Sequence, residues 1–214
     1  MRTDSHLCEH CSVRVALGCV ECPQCGQLLE LDARGRIALW RLGEVEEGLL
    51  GPLAERLRET FHHPVVIQPG YVDERPSARP HWSGRSATAL LNQMLRRHRR
   101  GAVAQLCVTE ENITWDSRYA FLFGLAWMGL RVAVMSTRQL RAGKPDAATL
   151  VERVCKIAVH ELGHGFGLDD MPYEHGDCVM CGDVELDSVE TIDVGTQEFC
   201  GPCLRQLPVK VRPR

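Results

Sequence analysis

The chain has 214 residues, 44% of them hydrophobic and 25% charged, with a net charge of −3. This is the make-up of an ordinary globular protein, and a length that fits one domain plus a small module. The charge argues against a nucleic-acid or membrane-surface protein on electrostatic grounds, and no apolar run approaches the roughly 20 residues that a bilayer span needs.

Residues 1–42 read as a separate unit. Cys8-x-x-Cys11, ten intervening residues and Cys22-x-x-Cys25 make a zinc-ribbon pattern, with Cys19 a spare thiol. These knuckles lead into residues 28–32, a turn at Ala33-Arg34-Gly35, and residues 37–40, which predicts a hairpin. Too little apolar material lies here for an independent core, so bound zinc would supply the folding energy. Eight of the eleven cysteines fall into C-x-x-C pairs, which in a reducing compartment signals metal and not disulfides. The odd cysteine count and the absence of an apolar segment among the first twenty residues agree, so a cytoplasmic protein without a signal peptide is expected.

The second unit, residues 43–206, opens with apolar positions at helical spacing over 49–61, Pro52 falling in the first turn. Val65-Val66-Ile67 reads as a buried strand. Ser86 can cap a helix whose apolar face is Leu90, Leu91, Met94 and Leu95. That helix runs into Arg96-Arg97-His98-Arg99-Arg100, read as a solvated helix end suited to the macrodipole, and stops at Gly101. Residues 102–108 form the next strand; 119–127 and 130–135 read as two more, joined at Met128-Gly129. A helix from Ala147 carries Leu150, Val151, Val154, Ile157, Ala158 and Leu162 on one face. After Gly167 periodicity is lost, and residues 207–214 read as a disordered tail. Cys107 and Cys155 fit apolar patterns and are expected in the core; His62 and His63 are expected to cap or follow a helix.

The helix from Ala147 holds His160-Glu161-Leu162-Gly163-His164-Gly165-Phe166-Gly167-Leu168-Asp169-Asp170, an H-E-x-x-H-x-x-G-x-x-D pattern. Residues four apart lie on one helix face, about 6 Å apart along the axis, so His160 and His164 can share one zinc. Glu161 sits roughly 100° round the helix, placed to act as general base toward a zinc-activated water. Gly167 supplies the positive-φ turn that brings the chain back. Asp170 is the expected third ligand, a carboxylate whose charge should weaken the metal's Lewis acidity; His175 is the main alternative, with Asp169 and Glu174 further rivals. Downstream, Cys178-x-x-Cys181, eighteen residues and Cys200-x-x-Cys203 make a four-thiolate zinc signature.

These motifs resemble the archaemetzincins, a branch of the metzincin metallopeptidases. The likeness rests on the H-E-x-x-H segment, Cys178-Val179-Met180 as a C-x-M, and Cys200-Gly201-Pro202-Cys203 as a terminal pair. Thr109-Glu110-Glu111-Asn112, the segment from Phe121 to Ala126, and Ser136-Thr137-Arg138 add to it, so that about residues 45–205 are covered. Three departures stand out. Asp170 replaces the family's third histidine, Met171 replaces a cysteine, and the stretch from there to Cys178 is about two residues longer. Cys181, outside the family pattern, is a candidate replacement for that cysteine.

The resemblance implies an α/β (α+β) metzincin-like domain with a twisted mixed sheet and an active-site helix. It implies a structural zinc on Cys178, Cys181, Cys200 and Cys203 close to the catalytic one, and Met180 as the Met-turn floor beneath the catalytic metal. Residues 123–126 resemble the edge strand that metzincins pair with extended substrate, although a plain buried strand fits equally well. The expected activity is zinc-dependent hydrolysis of peptide or protein substrates by a monomer, with three zinc ions per chain and no membrane partner. Nucleic acid is not expected, the ribbon being its one route. The competing reading is a non-enzymatic docking module that keeps the fold and its metals.

Overall fold

A computed structural model describes residues 5–7, 14–16, 24, 35–71, 84–96, 102–115, 121–172, 177–182 and 189–208. Two short strands, β1 (Ser5–Leu7) and β2 (Arg14–Ala16), pair antiparallel near the start. Cys8, Cys11, Cys22 and Cys25 lie outside the described residues, as do residues 28–32 and the tail from 209.

The body is a five-stranded sheet of β3 (Arg36–Leu42), β4 (Val65–Tyr71), β6 (Ala102–Thr109), β8 (Gly124–Trp127) and β9 (Val132–Ser136), in the order β4-β3-β6-β9-β8. The first four in that order run parallel and β8 closes one edge antiparallel. A separate parallel pair joins β5 (Arg85–Ser86) to β7 (Ile113–Thr114). The helices are α1 (Glu47–Phe61), α2 (Ala87–Arg96), α3 (Ala147–Gly165), α4 (Val189–Val194) and α5 (Gly201–Gln206).

Alternation along the strands divides the core in two. Ile37, Leu39, Leu106, Val108, Ala133 and Met135 face α1 and α3. Ala38, Trp40, Leu42, Cys107, Val132 and Val134 face α2. The sheet is therefore covered on both sides, and every residue of β6 and β9 is buried, as parallel sheets require.

This overturns the hairpin expected at residues 37–40. Arg36–Leu42 lies parallel between β4 and β6, Leu39 opposite Ile67 on one side and Leu106 on the other. The physical reason was present in the residues: Ile-Ala-Leu-Trp-Arg-Leu is apolar on both faces, whereas a ribbon hairpin keeps one face wet. Two smaller differences follow. The strand expected to be buried at residues 65–67 is an edge strand with Ile67 43% exposed. Helix α1 begins two residues early, so Pro52 stands in its second turn, where it removes one helical hydrogen bond.

Other local expectations hold. Ser86 Oγ accepts the Ala89 N–H at 3.2 Å, capping α2. His62 ends α1 at φ 54° with its N–H on the Arg58 carbonyl, and His63 is buried with Nδ1 3.0 Å from the Gly35 carbonyl. Cys107 and Cys155 are core residues. Residues 97–101 lie outside the described residues. Among the described residues no helix is long and apolar enough to cross a membrane.

Candidate metal centre

Helix α3 starts on Asp146, whose carboxylate accepts the Thr149 N–H at 2.8 Å, and carries the site in its last turns. Its C-terminus is closed twice. The Gly167 N–H reaches the His164 carbonyl at 2.8 Å and the Leu168 N–H that of Gly163 at 3.0 Å, with Gly167 at φ 97°, the glycine-dependent stop that the sequence predicts. The turn between β8 and β9 then adds the Gly129 N–H on the His164 carbonyl at 3.0 Å and the Arg131 N–H on that of Gly165 at 2.8 Å.

That geometry aims the two imidazoles. His160 Nδ1 lies 2.9 Å from the Val179 carbonyl and His164 Nδ1 2.8 Å from the Leu168 carbonyl. A carbonyl can only accept, so each Nδ1 carries a proton, and in the neutral ring each Nε2 presents a lone pair. The Nε2 atoms stand 3.0 Å apart, and Asp170 Oδ1 is 3.4 Å from one and 3.3 Å from the other. Zinc with nitrogen and oxygen ligands at about 2.0–2.1 Å in a tetrahedron separates its ligand atoms by about 3.3 Å. The three donors therefore fit zinc in type and spacing. Asp169 is not among them, and Glu174 and His175 lie outside the described residues.

The electrostatics agree with a site for one cation. Burial, reinforced by the neighbouring His164, lowers His160 to about 4. His164 moves the other way: burial opposes its protonation, but its hydrogen bond to the Asp170 carboxylate and the charge of Glu161 outweigh it and raise it to about 9. The pair and its carboxylate thus accommodate a single positive charge. Glu161 is 7% exposed, and burial pushes its carboxyl up to about 7.

Met180 is fully buried, with its thioether against the α-carbon of Gly163; a β-carbon there would lie 2.5 Å from Met180 Sδ. The Met180 carbonyl accepts the Met171 N–H at 2.8 Å, which ties the segment after Asp170 to Met180. Cys178, Cys200 and Cys203 form a second group, their sulfurs within 4.8 Å of one another. Cys178 and Cys203 sulfurs are 3.6 Å apart, against about 3.8 Å for thiolates on tetrahedral zinc with bonds of about 2.3 Å. Cys181 stands outside this group, its thiol 3.7 Å from the Pro172 carbonyl, but its backbone is bridged to Met171.

Three kinds of residue in this centre escaped the sequence reading. The Val179 and Leu168 carbonyls orient the imidazoles, yet any residue could supply them. Arg153 and Lys156 are buried on the same α3 face as His160; Arg153 grips both Asp193 oxygens at 2.7 Å, and Lys156 donates to the Ile192 and Asp193 carbonyls at 3.0 and 3.3 Å. Together they hold α4 ahead of the strap that delivers Cys200. Their signal was visible, two charges in an otherwise apolar helix stripe. Helices α4 and α5 were unexpected, being single short turns among the cysteines.

On the other side of the centre runs β8. Gly124 pairs with Met135, and the Ser136 N–H reaches the Phe123 carbonyl at 2.8 Å. In an antiparallel ladder this makes Gly124 and Met135 a non-hydrogen-bonded pair, so the Gly124 N–H and carbonyl point away from β9, toward the edge that β8 forms in the sheet among the described residues.

Comparisons with known proteins agree on one family. The model of peptidase family M54 matches residues 98–209. The archaemetzincin of Pyrococcus furiosus is 33% identical over 189 residues, covering 81% of this chain and 93% of that protein. Among solved structures, archaemetzincin from Archaeoglobus fulgidus, crystallised with malonate, superposes with a TM-score of 0.67 at 27% identity, covering 80% of this chain and 99% of that one. The Methanopyrus kandleri archaemetzincin gives a TM-score of 0.66 at 27% identity over 80% of this chain and 92% of its own.

Proposed function

The chain belongs to peptidase family M54 and is a zinc metallopeptidase acting on peptides or proteins; from that membership we propose how its own residues share the work. His160, His164 and Asp170 hold the catalytic zinc. The observation that carries this is the convergence of two Nε2 atoms and one carboxylate oxygen at 3.0–3.4 Å, each imidazole fixed in the correct tautomer by a backbone carbonyl.

Zinc, when bound, polarises the scissile carbonyl and makes a water acidic enough to attack near neutral pH. Glu161 takes the proton from that water and passes it to the departing amine. Its buried carboxyl suits both halves, because a group that titrates near the working pH can accept and donate. Met180 packs beneath the metal-bearing turn and fixes the segment whose carbonyls orient His160 and tether Met171. The open edge of β8, with the Gly124 N–H and carbonyl turned outward, is where an extended substrate pairs.

Cys178, Cys181, Cys200 and Cys203 hold a second, structural zinc. Three of the four sulfurs support it directly. Cys181 joins from the bridge opposite Met171, since bridge partners carry their side chains on one side of the ladder. This explains how a cysteine absent at 171 is replaced by one at 181. A third zinc on Cys8, Cys11, Cys22 and Cys25 completes the reading, in an N-terminal module that ends before β3; the location is cytoplasmic and the chain monomeric.

The test is Glu161→Ala in zinc-loaded protein assayed against a pooled peptide library. Hydrolysis by the native protein, lost in the variant with zinc content unchanged, is the expected result. Failure of the fully zinc-loaded native protein to cut any library peptide would sink it and leave the docking-module reading.

A further inference from the structure

We propose that Gly124 is a positioning residue for Glu161, setting where the carboxylate stands by having no side chain. The inference rests on the assignment of Glu161 as general base. A β-carbon built on Gly124 would overlap Glu161 Oε1 and lie 2.5 Å from its Cγ and Cδ. Real β-carbons do not approach neighbours so closely, so even a methyl group must displace the carboxylate or the strand. Neither moves cheaply. Glu161 is buried on α3 between the two zinc-binding histidines' turns, and β8 is held in register to β9 from Gly124 to Trp127.

The requirement belongs to this position and not to the strand face. Ala126, two residues along on the same side of β8, carries its methyl group packed against the core shared with α3. The α3 face of β8 therefore accepts a β-carbon one pleat away, and excludes it only opposite Glu161. Gly124 also turns its N–H and carbonyl away from β9, to the sheet edge that β8 forms among the described residues. One residue thus brings the substrate-facing backbone into van der Waals contact with the base. A side chain here would both push Glu161 off its line to the metal site and hold the edge strand away from it.

The experiment is a double-mutant cycle on zinc-loaded protein with Gly124→Ala, Glu161→Ala and the double variant, read by peptide-library hydrolysis, zinc affinity by chelator competition, and melting temperature. Gly124→Ala should lower kcat on the order of 10²-fold, as a misplacement of about 1 Å does, with KM and zinc affinity near the native values. In the Glu161→Ala background, where hydrolysis is already lost, the cycle is read by melting temperature, and the same substitution should cost nothing further. A purely structural glycine would instead cost the same in both backgrounds. If Gly124→Ala does not fold, the double variant, in which the obstructing carboxylate is gone, should fold and melt as Glu161→Ala alone does. Native kcat in Gly124→Ala, equal losses in both backgrounds, or a double variant less stable than Glu161→Ala would overturn the proposal. Native activity in Glu161→Ala would instead overturn the general-base assignment beneath it.

Discussion

Cys203→Ser should loosen zinc at the histidine site, although Cys203 belongs to the other ligand group. The route is short. Cys203 and Cys178 sulfurs are 3.6 Å apart, and Cys178 Sγ also accepts the Cys200 N–H at 3.3 Å. The next residue, Val179, donates its N–H to the Glu198 carbonyl at 2.7 Å and offers its own carbonyl to His160 Nδ1 at 2.9 Å. With thiolate zinc present, these contacts hold the tripeptide from Cys178 to Met180 in place; with one thiolate gone, the tripeptide loses an anchor. Losing the outer partner of a metal-bound histidine costs about 10–100-fold in metal affinity, or about 1.4–2.7 kcal/mol. Chelator competition measures the histidine site, and cobalt substitution reports the thiolate site separately through its charge-transfer absorption. Loss of the thiolate absorption with histidine-site affinity within about twofold of native would refute the coupling.

Three further outcomes follow from the geometry. Asp170→Ala should bind catalytic zinc more weakly by at least the 10–100-fold expected of an outer-shell loss, while Asp170→His restores it; unchanged affinity in the alanine variant, measured by chelator competition, would return the ligand to His175. Asp193→Ala leaves the buried Arg153 guanidinium on the Leu140 and Ala142 carbonyls at 2.7 and 2.8 Å, with no carboxylate in hydrogen-bond contact among the described residues. A broken buried pair costs about 3–5 kcal/mol, and the 39% exposure of the Asp193 side chain reduces this to about 2 kcal/mol, lowering the melting temperature by about 4–8 °C. A shift below about 2 °C in a thermal scan would show that the clamp is idle. Purified native protein should carry close to three zinc ions per chain by elemental analysis, and a value near one would remove the cysteine assignments.

Much of the catalytic half could be read from local spacing, because it is built within one helix and its exit. His160, Glu161 and His164 follow from the helical repeat, and Gly167 from the need for a positive-φ stop. Asp170 followed from chain return, and the structure brings its carboxylate to the two imidazoles. What escaped is non-local. That β3 belongs between β4 and β6 depends on partners 28 and 67 residues away for Leu39, and alternation alone could not separate it from a ribbon hairpin. That Gly124 abuts Glu161 depends on how an edge strand lies over a helix. Cys181 is a mixed case: its spacing from Cys178 predicts a shared metal, whereas its sulfur points toward Pro172 while its backbone, bonded to the Cys178 carbonyl at 2.9 Å and bridged to Met171, brings it near.

The turn from Trp127 to Arg131 has a mechanical meaning beyond capping a helix. Through the bonds from Gly129 and Arg131 it rivets the β8 edge, where the proposed substrate strand would pair, to the end of α3 that bears His164. Edge and helix end are thereby one piece, and the gap between them is set by the four residues from Met128 to Arg131 that join β8 to β9. A lengthened turn would therefore act as a shim, resetting the gap without touching a ligand. Diversity in substrate girth within such a frame would be written first in this turn, and a graft of turns of different length would be the direct way to tune it.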